Sequence, residues 1–396
     1  METVNSMDMG AKIRPQMPAG VEHGLCSRFR TTKSHCTSCA VVCPVPGAVR
    51  FAEQGAEFTD ACVGCGACAS ACPNGAIRLE KNDPQLAERI RSRVRPGEAF
   101  RVACPRAEGK VDLVLPCLSR LTEALLLEPI RGGAARVELL DPGCSGCGLN
   151  TAAPQWERAL FLAQALCESA GFTASRVGRV QVSVGEPQEI RKASESPNPR
   201  RAMFRAIAQK WKETVTVVAT ETGQKPAEAF RDAVQRHHGN PKRTDLLQVL
   251  SALPGAEARS KSLIASGLPL ADVEVGIQCV GCNVCETLCP VGALRHREAN
   301  GVYALDFSPA LCTGCRVCEA ACFYQAIHIR ETVELSVLFN QPSVTLISAP
   351  RQTCRACRES FLGKASEFCP SCLASGDRRE SIARRFFLGG NQSDQL

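Results

Sequence analysis

Twenty-five cysteines in 396 residues, and the way they bunch, constrain this chain more than any other feature. Eight lie between Cys26 and Cys72, four between Cys104 and Cys147, eight between Cys279 and Cys322, and four between Cys354 and Cys372; Cys167 stands alone. Groups of four and eight suit tetrahedral metal and iron–sulfur sites. The competing reading, a disulfide framework, belongs to small secreted domains. The first twenty residues, METVNSMDMGAKIRPQMPAG, have no apolar core and no twin-arginine pair, so they do not read as a signal peptide. No stretch approaches the roughly 18 apolar residues of a spanning helix. A soluble, cytoplasmic chain of about two to four domains is expected.

The strongest signal is CVGCGACASACPNGAI, residues 62–77. Cys62, Cys65, Cys68 and Cys72 follow the C-x2-C-x2-C-x3-C-P spacing of an iron–sulfur loop. Small residues (Val63, Gly64, Gly66, Ala67) let the backbone curl around a cubane with its amides aimed at the sulfurs, and glycines permit the dihedrals required. The fourth cysteine is expected to open a short helix, its proline fixing the turn. The pattern recurs at CVGCNVCETLCPVGAL, residues 279–294, and at CTGCRVCEAACFYQAI, residues 312–327. In the last copy Phe323 replaces the proline, which is expected to alter the turn but not the ligand count.

A fourth loop is incomplete. HCTSCAVVCP, residues 35–44, offers Cys36, Cys39 and Cys43, while Lys33 occupies the first position. Cys26, ten residues upstream of Cys36, is the candidate for the missing ligand. A cluster with three cysteine ligands and a degenerate site are the alternatives. The intervening segment, with Arg28, Arg30 and Lys33, is expected to bulge beside the cluster as a basic loop, where it would raise the cluster's potential or steer an acidic partner.

On these motifs, residues 26–80 and 279–330 each resemble a two-cluster bacterial ferredoxin. The resemblance implies crossed ligation, each half lending its fourth cysteine to the other's cluster. It assigns four [4Fe–4S] clusters. One takes Cys26, Cys36, Cys39 and Cys72; the second takes Cys62, Cys65, Cys68 and Cys43. The third takes Cys279, Cys282, Cys285 and Cys322; the fourth takes Cys312, Cys315, Cys318 and Cys289. Each module should be a small βαβ pair with pseudo-twofold symmetry, with strands near 48–51, 77–79, 273–277 and 327–330. Such modules bury little apolar surface, so the clusters supply much of their folding energy.

Residues 98–185 alternate β-like runs (RVACP, VDLVLPC, RVELLD, RVQVSV) with helical ones over about 118–128 and 154–170, the pattern of an α/β unit with a mainly parallel sheet. Cys104, Cys117, Cys144 and Cys147 all follow strands, where open α/β sheets place ligands. The stretch PCLSRLTEALLLEPIRGGAARVELLDPGCSGCGLN, with Arg158 and RVGRVQVSVGEPQE, is similar to the delta subunit of methyl-viologen-reducing hydrogenase. That resemblance implies a [2Fe–2S] cluster and electron delivery to heterodisulfide reductase. Ser145-Gly146-Cys147-Gly148 departs from the family's GDCH-type segment, so structural zinc, a redox-active cysteine pair or no ligand are the alternatives. Cys167 falls on the apolar stripe of a helix and reads as a buried inert thiol.

The rest of the chain is connecting structure and a terminal cysteine set. Residues 186–270 read as a linker and helical connector; Trp211 lies on a packed helix, and His237-His238 is expected to be a solvated surface pair. TCRACRESFLGKASEFCPSCLASG presents Cys354, Cys357, Cys369 and Cys372 with the C-x2-C-x11-C-x2-C spacing of a zinc ribbon, with a single iron as the alternative. The tail RRESIARRFFLGG reads as a solvated or packed helix. The expected architecture is an α+β / α/β multidomain chain. Two dicluster ferredoxin-like modules (21–97 and 271–333) flank a small α/β domain (98–185). A flexible N-terminus (1–20), the connector (186–270), and a zinc-ribbon-like knuckle with basic tail (334–396) complete it.

Charge and motif content narrow the function. Lys and Arg number 47 against 40 Asp and Glu, a formal +7. Six four-thiolate sites at about −2 each bring the loaded chain to about −5. With 5% aromatic residues and no basic aromatic stripe, no nucleic-acid partner is expected. No G-x-G-x-x-G follows a strand, and there is no P-loop or flavin fingerprint. Clusters exchange single electrons with little rearrangement. The expectation is therefore an electron-transfer protein or subunit serving a redox partner of hydrogenase, heterodisulfide-reductase-like or formate-dehydrogenase type. The alternatives are an electron-input subunit of such an enzyme complex with chemistry at its own cysteines, and a cluster-assembly or maturation factor.

Overall fold

A computed structural model describes residues 19–79, 83–185, 232, 234–253, 262–264, 270–330, 332–334, 343–363 and 366–376. Trp211 and the basic tail lie outside the described residues. The fold is mixed α/β. Its central sheet has four parallel strands in the order Leu113–Val114, Ala99–Ala103, Arg136–Asp141, Val177–Gln181. Parallel neighbours need crossovers, and the helices Glu123–Arg131 and Ala153–Ser169 provide two of them.

The helical run expected over about 118–128 is two elements. A 3-10 turn, Leu118–Arg120, precedes a helix that starts at Glu123, because the Thr122 hydroxyl caps it by accepting from the Leu125 N–H at 3.3 Å. Residues 123–130 of that helix are all buried, since helices Asp83–Arg91 and Pro241–Ala252 cover the side facing away from the sheet. Leu127, Leu166, Trp156 and Leu250 belong to this core. Glu128 is buried with them, and Arg91 at 3.0 Å and Arg131 hold its carboxylate.

Two small modules share one plan. In the first, Gly20–Val21 pairs antiparallel with Ile77–Arg78, and the hairpin Val49–Ala52/Gly55–Phe58 lies between them in sequence. In the second, Asp272–Val275 pairs with Ile327–Arg330 around the hairpin Leu294–Ala299/Val302–Phe307. The second module continues past residue 334. Val344–Thr353 pairs with Val302–Phe307 and then with Ser360–Leu362, making one four-stranded sheet.

The connector is structural. Helix Pro241–Ala252 packs into the core of the α/β unit, and Val333, on a strand paired with Ser262–Ile264, does the same. His237 and His238 are not a solvated pair. They lie in a non-helical stretch between the two modules, both half-buried. His237 Nδ1 is 2.9 Å from the Cys289 carbonyl, and the His238 backbone N–H donates to Pro290 at 2.8 Å. Among the described residues no helix is long and apolar enough to cross a membrane.

Leu127→Ala removes a side chain with no solvent exposure. It is expected to lower the stability of the α/β unit by about 2–5 kcal/mol, read by denaturant unfolding followed through Trp156 fluorescence.

Candidate functional site

The three complete motifs fold alike. In each, two left-handed residues bracket the second cysteine: Gly64 and Gly66, Gly281 and Asn283, Gly314 and Arg316. Asn283 and Arg316 take this conformation without being glycine, at φ 62° and 59°. A short helix then carries the third cysteine (Ala67–Ala71, Val284–Leu288, Val317–Ala321). The fourth cysteine closes that helix rather than opening it: Cys72, Cys289 and Cys322 are extended C-caps. A following proline drives its predecessor out of the helical region. Cys322 nevertheless adopts φ −67°, ψ 108° before Phe323, close to the −63°, 118° of Cys289 before Pro290. The turn is therefore unaltered there. Four residues on, a backbone N–H donates to each of these sulfurs: Ala76 to Cys72 at 3.4 Å, Ala293 to Cys289 at 3.2 Å, Ala326 to Cys322 at 3.3 Å.

The thiols gather in sets. Cys39 is faced by Cys72, Cys36 and Cys26; Cys68 by Cys65, Cys62 and Cys43. Cys285 is faced by Cys279, Cys282 and Cys322; Cys318 by Cys315, Cys312 and Cys289. Burial, with the neighbouring thiols, pushes Cys39 and Cys285 up to about 12. Burial likewise lifts Cys65 and Cys315 to about 11. Such groups stay protonated at neutral pH unless a cationic core binds their thiolates. One enclosed cavity is lined by Cys289, Cys312, Cys315 and Cys318, another by Cys43, Cys62, Cys65 and Cys68. Thiol donors, converging N–H groups and an enclosing apolar wall together fit an iron–sulfur core.

The incomplete loop is built differently. Thr37, the counterpart of Gly66, has φ −125°, and Cys39 lies in the turn Ser38–Val41. Cys26 reaches the set from the far side, where the tip of the hairpin backs onto it; a Cβ on Gly55 would stand 2.9 Å from its sulfur. The basic segment does not bulge. Ser27–Arg30 is a helical turn with Phe29 and Arg30 buried. Arg28 stacks on Phe51, 3.9 Å from its centroid, while Arg30 turns away towards Pro290 of the second module. Of the segment's three cations only Lys33 is exposed.

At the carboxyl edge of the parallel sheet, Cys117 and Cys147 face Cys104, and Asp141, Cys117 and Cys147 face Cys144. Burial raises Cys104, Cys117 and Cys144 above the ordinary thiol value. The Leu149 N–H donates to the Cys147 sulfur at 3.5 Å, and the buried Trp156 indole faces Cys144. Cys117 also faces Cys65 of the neighbouring module. Cys167 is fully buried in helix Ala153–Ser169, as expected of an inert thiol.

The sulfurs of Cys354, Cys357, Cys369 and Cys372 lie within 4.8 Å of one another, close enough to hold one metal ion. Backbone N–H groups, that of Cys357 foremost, hold the Cys354 thiol down at about 6, so it is a ready thiolate at neutral pH. This set packs against Val280, next to Cys279.

Residues 278–326 match the 4Fe-4S dicluster domain, and residues 58–78 match the 4Fe-4S binding domain. The chain carries two 4Fe-4S ferredoxin-type domains. The segment from Cys26 to Cys43 lies outside both matches. No curated protein matches this chain.

Sequence reasoning passed over Asn74, Lys242 and Arg243, which tie the ferredoxin-type domains to each other. Asn74 Nδ2 donates to the Leu25 carbonyl at 2.8 Å, and its Oδ1 accepts from Thr313 of the other domain at 2.5 Å. The signal in sequence is slight: an Asn-Pro-Lys-Arg helix start.

Because burial holds most of these thiols protonated without metal, loading should release protons. Reconstitution with iron and sulfide in weakly buffered solution is expected to acidify the medium, and loading should weaken as pH falls; a pH-independent yield would contradict this. Gly66→Ala forces a side chain into φ +85° and within 2.8 Å of Arg120. It is expected to lower the iron-to-protein ratio by about one cluster, read by iron assay.

Proposed function

We propose that the chain is an electron relay whose four [4Fe–4S] clusters pass single electrons along one series. Its ligand sets are those of crossed ligation: Cys26, Cys36, Cys39, Cys72; Cys62, Cys65, Cys68, Cys43; Cys279, Cys282, Cys285, Cys322; and Cys312, Cys315, Cys318, Cys289. The observation that carries the reading is the adjacency of the sets. Cys285 faces Cys318 within one domain, and Cys39 faces Cys68 within the other. Between domains, Cys26 and Cys72 pack against the core that holds Cys289 and Cys312. Cys65 then faces Cys117.

The Cys104, Cys117, Cys144, Cys147 set stands at one end of this series, and a [2Fe–2S] cluster there would make it the entry or exit point. Its place on an α/β unit whose sequence is similar to the hydrogenase delta subunit favours a partner of hydrogenase, heterodisulfide-reductase-like or formate-dehydrogenase type. Zinc at Cys354, Cys357, Cys369 and Cys372 would clip the terminal strands in a ribbon-like knuckle against the opposite end. When bound, the clusters supply one-electron storage. The chain's own residues set spacing, exclude water and aim N–H groups at sulfur.

Oxygen-free purification followed by iron, sulfide and zinc analysis and EPR of the reduced protein tests this. About 18 iron atoms and one zinc per chain are expected; colourless protein with a trace of iron would sink the reading. Cys144→Ala with Cys147→Ala should remove about two irons and leave the cubane signals, while Cys26→Ser should damage one cubane alone.

A further inference from the structure

The stretch from Val234 to Leu250 runs between the ferredoxin-type domains and contains no cysteine. Lys242 and Arg243 open its helix and are buried, as is Arg30 from the turn after Cys26. Among the described residues, each side-chain hydrogen bond of Arg30 ends on a backbone carbonyl: Gly24 at 2.6 Å, Arg236 at 2.6 Å, Val234, and Pro290 of the second domain at 3.5 Å. Lys242 Nζ donates to the carbonyls of Ser70 and, at 3.5 Å, Cys72. Arg243 donates to Ala310 at 2.9 Å and Pro309 at 2.8 Å, just ahead of Cys312.

A buried cation is strongly unfavourable without an anion nearby, and no carboxylate hydrogen-bonds Arg30 or Lys242 among the described residues. Ligand-set thiols face all three cations: Cys289 and Cys315 by Arg30, Cys312 by Arg243, and Cys72 by Lys242. These thiols come from two sets, one in each domain. The Asn74–Thr313 hydrogen bond fixes the two sets across the junction.

We propose that Arg30, Lys242 and Arg243 form a cationic bridge that makes the two junction-facing clusters easier to reduce than the two outer ones, so that electrons entering the series settle at the junction. The inference rests on the relay reading. Each electron gained deepens a cluster's charge from about −2 to about −3, and a nearby buried cation favours the more negative state. At the outer sets, Arg351 faces Cys279 but is tied to Glu298 at 3.1 Å, and the buried Arg120 lies over Gly66 at the other end; neither joins two sets as the bridge does. Two of the three bridge cations, Lys242 and Arg243, lie outside both cysteine modules, so the connector that joins the domains also sets their relative potentials.

Dithionite titration of the anaerobically purified, iron-replete full chain, followed by EPR, tests this, with dithionite as the electron donor. Two of the four cubane couples should reduce ahead of the others. Lys242→Met keeps the stem and removes the charge. It should lower the reduced-to-oxidised ratio of an early couple about tenfold at fixed potential (about 59 mV for one electron) and leave the late couples in place; Lys242→Arg should restore it. Four wild-type couples that reduce together would overturn the proposal without recourse to any variant. Full iron with unmoved early couples in Lys242→Met would do the same. Should that variant lose iron, Arg30→Gln gives the same reading from the other domain, and unmoved couples there are equally fatal. Wild-type protein lacking clusters would instead remove the relay reading, which keeps the two failures apart.

Discussion

A thiolate buried in protein is tolerable only beside positive charge, and that constraint organises this chain. Its buried thiols sit in sets, and burial with mutual repulsion drives many of them far up the pH scale. A metal core resolves the conflict by binding all four sulfurs of a set at once. The loops have the shape that such a core needs. Left-handed residues flank the second cysteine, a short helix carries the third, and an extended C-cap turns the fourth outward towards an N–H donor.

The first ferredoxin-type domain pays for this with a thin hydrophobic core, whereas the second packs Tyr303, Leu305 and Phe307 into a larger one. The first has little more than Ala19, Ala56, Ala69 and Ile77 around Cys39 and Cys68. Stability that does not depend on metal is concentrated in the α/β unit, where Trp156, Leu127 and Leu166 pack beneath a parallel sheet. That unit touches the first domain directly: Ser70 donates to the Leu121 carbonyl at 2.7 Å, and Gln155 donates to Ser70 at 3.1 Å. The connector helix is buried in the same core. The α/β unit thus positions the first ferredoxin-type domain, which suits the proposed relay, whose rate would depend on fixed spacing.

The terminal strands serve the other end. Val344–Thr353 extends the second domain's sheet and carries the chain to Cys354. Tyr303, on the neighbouring strand, hydrogen-bonds Asn283 at 3.0 Å inside the outer cysteine loop. The last cysteine set, the sheet and that loop form a continuous assembly. Main-chain hydrogen bonds join strands on either side of residue 333, Val302–Phe307 with Val344–Thr353.

What could be read along the chain was local. Cys62–Cys72, Cys279–Cys289 and Cys312–Cys322 have their geometry in spacings of three and four residues, so the loop, the glycine at 64, 281 and 314, and the ligand residues are all visible without a fold. The parallel sheet was legible for a similar reason, because alternating strand and helix patterns leave few topologies. Contacts between distant residues were not. That Cys65 meets Cys117 and that Arg30 crosses to Pro290 depend on how separate units dock. Docking is settled by buried surfaces and charges whose partners lie up to 260 residues away. A lysine such as Lys242 looks like any surface cation in sequence; only the packing around it removes its water and sets Cys72 beside it.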